Sequence, residues 1–180
     1  GIDAIQIKVN SSREALALIS AGFYDFPARR MRLIGVTGTN GKTTTTFLIK
    51  ALLEDKFKVG LIGTINNMIG EEIILSERTT PESLDLQKLF YEMHSKGVDI
   101  VVMEVSSHAL ELNRVDGVSF DAGIYTNLTQ DHLDFHADLD AYKVAKSKLF
   151  KKIGVEIKPD TQYAVLNKDD EYYDFFYNAC

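Results

Sequence analysis

The most informative part of the sequence is the run Gly35-Val36-Thr37-Gly38-Thr39-Asn40-Gly41-Lys42-Thr43-Thr44. It follows the apolar pair Leu33-Ile34 and precedes a helix-forming segment, which is the context of a phosphate-binding loop. Glycines let backbone N–H groups converge on phosphate oxygens, and the following helix N-terminus adds positive potential. We therefore predict that residues 38–44 bind a nucleoside triphosphate, with Lys42 at the β/γ-phosphates and the Thr43 hydroxyl on Mg²⁺.

The loop departs from the strict phosphate-loop pattern at one position. That pattern has a glycine five residues before Gly41, where this chain has Val36. The inner part alone, Gly38-x-x-Gly41-Lys42-Thr43, arises by chance in about one chain in a hundred of this length. The alternative, a glycine-rich turn with a solvated lysine, is therefore disfavoured. The motif predicts a triphosphate ligand but not the reaction that follows.

Around this loop, strands and helices alternate from Met31 onward, which is typical of a parallel sheet with crossover helices. The predicted strands are Arg32–Val36, Val59–Gly63, Ile100–Val105, Ala122–Thr126 and Tyr163–Leu166. The predicted helices are Lys42–Lys56, Pro81–Lys96, Leu139–Lys152 and Asp169–Tyr177, with a small hairpin over Asn66–Ile74. Thr80 is expected to cap the second of these helices, with Pro81 at its first position. The fold class is α/β, with a mostly parallel sheet flanked by helices as in P-loop NTPases.

The segment before Met31 has a different texture. Ile5–Val9 alternates like a short strand, and Ser11 or Ser12 could cap a helix that runs through Ser20. Phe23–Arg30, which contains a proline and a basic pair, is predicted to be a connector.

A second group of candidate residues follows the apolar strand Ile100–Val105. Glu104 lies at its carboxyl end, where ligands bind in open α/β sheets, so it could hold Mg²⁺ or simply reach solvent. Ser106 and Ser107 could hydrogen-bond a ligand or cap the next helix. Arg114 is either a solvated surface cation or a clamp for an anionic substrate.

The loop 127–136 is dense in potential metal ligands, with two histidines and two aspartates. The spacing does not select Zn²⁺, and the single cysteine argues against a thiolate site. Beside a phosphate loop, Mg²⁺ with oxygen ligands and one imidazole is the better interpretation.

Composition excludes several classes of protein. The chain has 180 residues, of which 45% are hydrophobic, enough to bury a core without disulfides. Its net charge of −6 argues against a broad nucleic-acid surface. No apolar run approaches the ~20 residues that span a bilayer, and the N-terminal residues do not have the pattern of a signal peptide. With Cys180 as its single cysteine, the protein is expected to be cytoplasmic.

Taken together, the motifs resemble those of the Mur ligases of bacterial cell-wall synthesis, in one order over about 120 residues. Beyond residues 35–44, the matching segments are Thr79-Thr80-Pro81, residues 103–110 (Met-Glu-Val-Ser-Ser-His-Ala-Leu), Thr126-Asn127-Leu128, Asp131-His132-Leu133-Asp134 and residues 145–150 (Ala-Lys-Ser-Lys-Leu-Phe). Thr-Thr-Pro with Glu-Val-Ser-Ser-His points to the members that add the third amino acid of the peptide. The phosphate loop of this family also lacks the outer glycine, so Val36 is expected.

The resemblance implies an ATP-dependent amide-bond ligase of peptidoglycan precursor synthesis. It would add lysine or meso-diaminopimelate to UDP-N-acetylmuramoyl-L-alanyl-D-glutamate through an acyl phosphate, as a cytoplasmic monomer. Residues 1–28 would be the tail of an N-terminal domain that binds the uridine nucleotide. Residues 29–180 would be the first part of the central ATP-binding domain, and the C-terminal domain would be absent.

Site residues follow from the same resemblance. Lys42 and Thr43 would serve ATP and a first Mg²⁺, and Glu104 and His132 a second Mg²⁺. Lys146 matches a lysine that is carbamylated in these enzymes and helps to hold the metal. The positions that contact the nucleotide-linked peptide are Thr79, Thr80, Ser106 and Arg114.

Two alternatives remain open. One is a related synthetase of the cyanophycin or folylpolyglutamate type, which shares the phosphate loop. The other is a nucleotide-binding fragment with no turnover of its own.

Overall fold

A computed structural model describes residues 5–129, 135–154 and 160–180. Within these ranges the strands are β1 (Arg32–Thr37), β2 (Val59–Ile62), β3 (Asn66–Ile69), β4 (Glu72–Leu75), β5 (Ile100–Glu104), β6 (Ala122–Tyr125) and β7 (Tyr163–Leu166). The helices are α1 (Ser12–Phe23), α2 (Lys42–Leu53), α3 (Ser83–Ser95), α4 (Ser107–Glu111), α5 (Leu139–Lys151) and α6 (Tyr173–Tyr177), with a 3₁₀ turn at Pro27–Arg30.

The strands form one sheet in the order β4-β3-β2-β5-β1-β6-β7. The five neighbouring strands β2, β5, β1, β6 and β7 are parallel to one another. Strands β3 and β4 form an antiparallel hairpin, and β3 pairs antiparallel with β2. Because the carboxyl ends of parallel strands meet at one edge, the loops after β1, β2, β5 and β6 lie together. The register sets Val36 of β1 opposite Glu104 of β5, so the phosphate loop begins next to that carboxylate.

Helices cover both faces of the central strands. On one face, Leu33 and Met103 belong to a core that includes residues of α3 and α5. On the other face, Val36 and Val102 pack with Ile49 of α2. All five residues of β5 are buried, which explains why this strand shows no hydrophobic alternation.

The predicted α/β class is confirmed. All five predicted strands are present, with ends that differ by at most one residue, and the predicted hairpin is present as β3–β4. Ser11 caps α1, because its hydroxyl accepts a hydrogen bond from the Glu14 N–H at 3.2 Å. Helices α2 and α6 are shorter than predicted.

Two local predictions are wrong. Ile5–Val9 forms no strand, and Ile5 and Ile7 are largely exposed, because alternation alone provides no neighbouring strand. Helix α3 begins at Ser83 with Glu82 as its cap, so Thr80 is not the capping residue. The Thr80 hydroxyl donates to the Glu104 carbonyl at 2.9 Å, and this bond holds the Thr80 segment against the end of β5.

Within the described ranges, none of the helices has the length and apolar character that crossing a bilayer requires.

The central strand provides a test of the core. Leu33 is fully buried in β1, whereas Leu75 on the edge strand β4 is 89% exposed. We predict that Leu33→Ala lowers the free energy of unfolding by about 2–5 kcal/mol because it leaves a cavity. Leu75→Ala, the same chemical change, should cost less than about 0.5 kcal/mol. Urea denaturation followed by circular dichroism measures both, and equal losses would contradict this packing.

Candidate functional site

The phosphate loop joins β1 to α2 and depends on two glycines. Gly41 has a φ of +84° and caps α2, and Gly38 has a φ of +147°. A Cβ atom on Gly38 would lie 1.9 Å from Thr126 Oγ1, so no side chain fits there. Both glycines are therefore required by the shape of the loop, as the motif predicts.

The loop is braced by the segment that follows β6. The Thr39 N–H donates to the Asn127 carbonyl at 2.8 Å, and the Asn40 N–H donates to Asn127 Oδ1 at 3.0 Å. Thr126 Oγ1 in turn donates to the Asn40 carbonyl at 2.7 Å. These bonds fix the phosphate loop against the segment that follows β6.

Asp170 anchors this bracing segment from the far side. Its carboxylate accepts from the Tyr125 hydroxyl at 2.6 Å and from the Leu128 N–H at 3.1 Å. Burial, together with this hydrogen bond, raises the pKa of Tyr125 well above its usual range. The phenol therefore stays protonated and remains a donor.

Two lysines meet beneath the loop. Lys42 Nζ donates to the carbonyls of Gly38 and Thr39, each at 2.9 Å. Lys146 Nζ donates to the same Gly38 carbonyl at 2.9 Å and lies 4.2 Å from the centre of the Tyr142 ring. Lys146 is 1% exposed. The Gly38 carbonyl therefore links Lys146 of α5 to Lys42 at the start of α2.

Glu104 is buried, and its carboxylate accepts three hydrogen bonds. It is 1% exposed, and its Oε1 accepts from Thr43 Oγ1 and from the Thr64 N–H, both at 2.9 Å. Its Oε2 accepts from Thr64 Oγ1 at 3.0 Å. A Cβ atom on Gly63 would lie 2.4 Å from Oε1, so the carboxylate needs a glycine there. The alternative in which Glu104 reaches into solvent is wrong.

The oxygen atoms of Thr43 and Glu104 fit a Mg²⁺ site. The Thr43 hydroxyl and the Glu104 carboxylate are oxygen ligands of the kind this ion prefers, and they are already in contact. Among the described residues, no three His, Cys, Asp or Glu side chains cluster as a metal site. His132 lies outside the described residues, so its assignment as a ligand stays a prediction.

One cleft of about 350 Å³ joins the two groups of predicted residues. Its lining residues are Thr39, Asn40, Gly41, Lys42, Thr43, Thr44, Thr64, Thr79, Glu104 and Ser106. The phosphate loop thus forms one wall, and two of the predicted peptide-contacting residues, Thr79 and Ser106, lie in the same cleft.

Thr80 and Ser106 are linked to each other at the end of β5. The Thr80 hydroxyl donates to the Glu104 carbonyl and accepts from the Ser106 N–H at 3.1 Å. Ser106 Oγ accepts from the Ala109 N–H at 3.1 Å and so caps α4. Ser106 therefore caps a helix and also lines the cleft, so the two interpretations of this residue are compatible.

Arg114 lies behind the cleft. It is 8% exposed, and its guanidinium donates to the Thr80 carbonyl at 3.1 Å and pairs with Glu82 at 2.7 Å. Burial lowers the pKa of Arg114, and the Glu82 carboxylate offsets part of this effect. The solvated-cation interpretation is wrong, and these contacts hold the Thr79–Glu82 segment in place.

Sequence reasoning missed Thr64, which contacts both oxygens of Glu104. A signal was available, because Thr64 follows β2 and parallel strands end at a common edge.

Comparison with known proteins identifies the family. The family model of the Mur ligase middle domain matches residues 36–180. A UDP-N-acetylmuramoyl-L-alanyl-D-glutamate–2,6-diaminopimelate ligase of Clostridium acetobutylicum is 53% identical over 167 residues, covering 92% of this chain and 33% of the relative. The chain thus spans about a third of the length of the curated relatives that it matches.

Solved structures agree with this match. A UDP-N-acetylmuramoyl-L-alanyl-D-glutamate–2,6-diaminopimelate ligase superposes with a TM-score of 0.80 at 29% identity, over 96% of this chain and 36% of that one. A folylpolyglutamate synthase of Mycobacterium tuberculosis, complexed with ADP and AMPPCP, gives a TM-score of 0.70 over 93% of this chain and 44% of that one. At 14% identity, the latter shows a shared fold alone. The chain belongs to the Mur ligase family, and residues 36–180 match its middle domain.

Proposed function

We propose that this chain is part of an ATP-dependent ligase that joins 2,6-diaminopimelate to UDP-N-acetylmuramoyl-L-alanyl-D-glutamate. The observation that carries the proposal is the single cleft in which the phosphate loop faces Thr79, Glu104 and Ser106. The names of relatives more than half identical to the chain favour diaminopimelate over lysine as the added amino acid.

The domain assignment is part of the same proposal. Residues 1–28 would end a domain that binds the uridine nucleotide, and residues 29–180 would begin the ATP-binding domain. The start of the family match at residue 36, beyond α1, supports this division. The domain for the incoming amino acid would come from the rest of a longer, cytoplasmic, monomeric enzyme.

The phosphate loop would bind and orient ATP. Its N–H groups and Lys42 would neutralise the charge that develops on the β- and γ-phosphates, which is the main contribution of such sites to phosphoryl transfer. Thr43 would hold a first Mg²⁺, and Glu104 and His132 would hold a second one that a carbamylated Lys146 helps to fix. When bound, the ion supplies additional charge neutralisation on the phosphate oxygens.

Carbamylation of Lys146 would place an anionic group beneath the loop. Neutral Nζ attacks the carbon of CO₂, a proton leaves to solvent, and the product is an anionic carbamate. The Nζ atom that would carry the carbamate donates to the Gly38 carbonyl, which also accepts from Lys42 Nζ. Burial of Lys146 protects such a group from exchange with water.

The reaction has two balanced steps. A substrate carboxylate oxygen attacks the γ-phosphorus, the bond to the bridging oxygen breaks, and ADP leaves as the acyl phosphate forms. The amine nitrogen of the amino acid then attacks the acyl carbon, inorganic phosphate leaves, and the amine loses a proton to solvent. Thr79 and Ser106 would hold the nucleotide-linked peptide in place for the first step, which is a positional contribution.

Lys42 gives a direct test on the chain itself. We predict that ATP binds in the presence of Mg²⁺ and that Lys42→Ala weakens this binding roughly 10- to 150-fold, because a charged donor to phosphate is lost. Isothermal titration calorimetry measures the affinity. Lys88→Ala, which removes a lysine that is 62% exposed on α3, should bind as the unchanged chain does. Equal affinity in both variants would contradict the role of Lys42.

Amide formation tests the ligase assignment. In a longer protein that contains this chain, we expect ADP release that requires UDP-N-acetylmuramoyl-L-alanyl-D-glutamate and diaminopimelate together. Lysine in place of diaminopimelate should give a much lower rate. Extension of folylpolyglutamate instead would favour the related synthetase, although Thr79-Thr80-Pro81 and Ser106-Ser107-His108 argue against it. ATP binding without any turnover would favour the nucleotide-binding module.

The carbamate has its own measurement. After equilibration with ¹³C-bicarbonate and Mg²⁺, we expect a carbamate resonance in the ¹³C NMR spectrum that Lys146→Arg abolishes. Lys143→Arg, on the same helix and paired with Asp140, should retain the resonance. A spectrum of the unchanged protein without this resonance would rule the carbamate out.

A further inference from the structure

Among the described residues outside the motifs, Thr64 makes the most direct contact with Glu104. We propose that Thr64 is a positioning residue that fixes the direction of the Glu104 carboxylate and links it to Thr79. The importance of that carboxylate rests on the proposed function, whereas the contacts themselves do not.

Thr64 donates two hydrogen bonds to Glu104, one to each carboxylate oxygen. The Thr64 N–H donates to Oε1 at 2.9 Å and the Thr64 hydroxyl donates to Oε2 at 3.0 Å. Two donors from one residue on the two oxygens of one carboxylate leave a single favourable rotation of that group. Rotation would break at least one charge-assisted bond in a buried setting, where an unsatisfied group is costly.

The backbone that carries Thr64 is itself anchored. The Gly63 N–H donates to Asn67 Oδ1 at 3.3 Å, and the Gly63 carbonyl accepts from Ser76 Oγ at 2.7 Å. Both partners belong to the β3–β4 hairpin or its exit. Thr64 therefore transmits the position of the hairpin to Glu104.

Proton accounting gives the contacts a direction. The Thr64 hydroxyl donates to Oε2, so its single hydrogen is already in use. The 3.0 Å contact between Thr64 Oγ1 and Thr79 Oγ1 must then have Thr79 as donor. The chain runs from Thr79 to Thr64 to Glu104, and Thr43 donates to the other oxygen. Such chains polarise each member, so each bond strengthens the next.

This chain connects the two halves of the cleft. Thr43 belongs to the phosphate loop, and Thr79 belongs to the segment predicted to contact the peptide. Because the Thr79 hydrogen is used by Thr64, its oxygen is left to accept from a substrate donor. Thr64 would therefore align the metal-binding carboxylate and set the hydrogen-bonding character of Thr79.

The experiment compares variants of this chain at Thr64 with a control variant at Thr161. Thr64→Val keeps the size and the backbone N–H but removes the hydroxyl, and Thr64→Ser restores the hydroxyl. Thr161→Val makes the same change at an exposed loop position. Thr64→Ala serves as a second deletion if the valine variant does not fold, which thermal unfolding followed by circular dichroism establishes.

The first readout needs no ligand. With ¹³C-labelled glutamate, the side-chain carboxyl resonance of Glu104 is assigned by its loss in Glu104→Gln. We expect this resonance to shift in Thr64→Val, to return toward its original position in Thr64→Ser, and to stay unchanged in Thr161→Val. An unshifted resonance in Thr64→Val and Thr64→Ala would show that the Thr64 hydroxyl does not fix the Glu104 carboxylate.

The second readout is the Mg²⁺ dependence of ATP binding. We expect Thr64→Val to raise the Mg²⁺ concentration at half-maximal effect about tenfold or more. Its effect on ATP binding in EDTA should be smaller, because no Mg²⁺ is present for Glu104 to hold. Thr64→Ser should restore the original dependence. A carboxyl shift with unchanged Mg²⁺ dependence would overturn the positioning role while the proposed function stands. Absence of ATP binding in the unchanged chain would defeat the proposed function. The carboxyl resonance would still decide whether Thr64 fixes the Glu104 carboxylate.

Discussion

The buried carboxylate of Glu104 is the constraint on which the site depends. A charged group out of contact with water is costly unless donors surround it, and here Thr43 and Thr64 supply three hydrogen bonds. These donors come from the start of α2 and from the loop after β2, on either side of β5. The three segments must therefore keep their relative positions, and Gly63 must lack a side chain for the carboxylate to fit.

The sheet order meets this constraint. Strand β5 lies between β2 and β1, so the loops after all three strands end beside Glu104. On the far side of β1, the loop after β6 braces the phosphate loop through Asn127. The hydrogen bonds of Glu104 and of the phosphate loop thus come from four strand-end loops that the sheet order places side by side.

Much of the fold could be predicted, because its signals are local. The apolar runs of the five parallel strands and the glycines of the phosphate loop each depend on a few neighbouring residues, and all are where the sequence predicts them. Thr80 shows the limit of this reasoning. Thr-Pro is a good helix start, yet the Thr80 oxygen accepts from the Ser106 N–H at the end of β5, and helix α3 begins three residues later at Ser83. Ile5–Val9 shows another limit, because alternation does not provide a partner strand.

The candidate site divides in the same way. The sequence by itself determined the phosphate loop, since a left-handed glycine and a helix start are properties of consecutive residues. The tertiary structure alone decided that Glu104 meets Thr64, 40 residues away, and that Lys146 meets Gly38, 108 residues away. It also decided that Arg114 is buried against Thr80 and Glu82. The physical reason is that strand order sets these distances, and hydrogen bonds act only between groups that the folded sheet brings into contact.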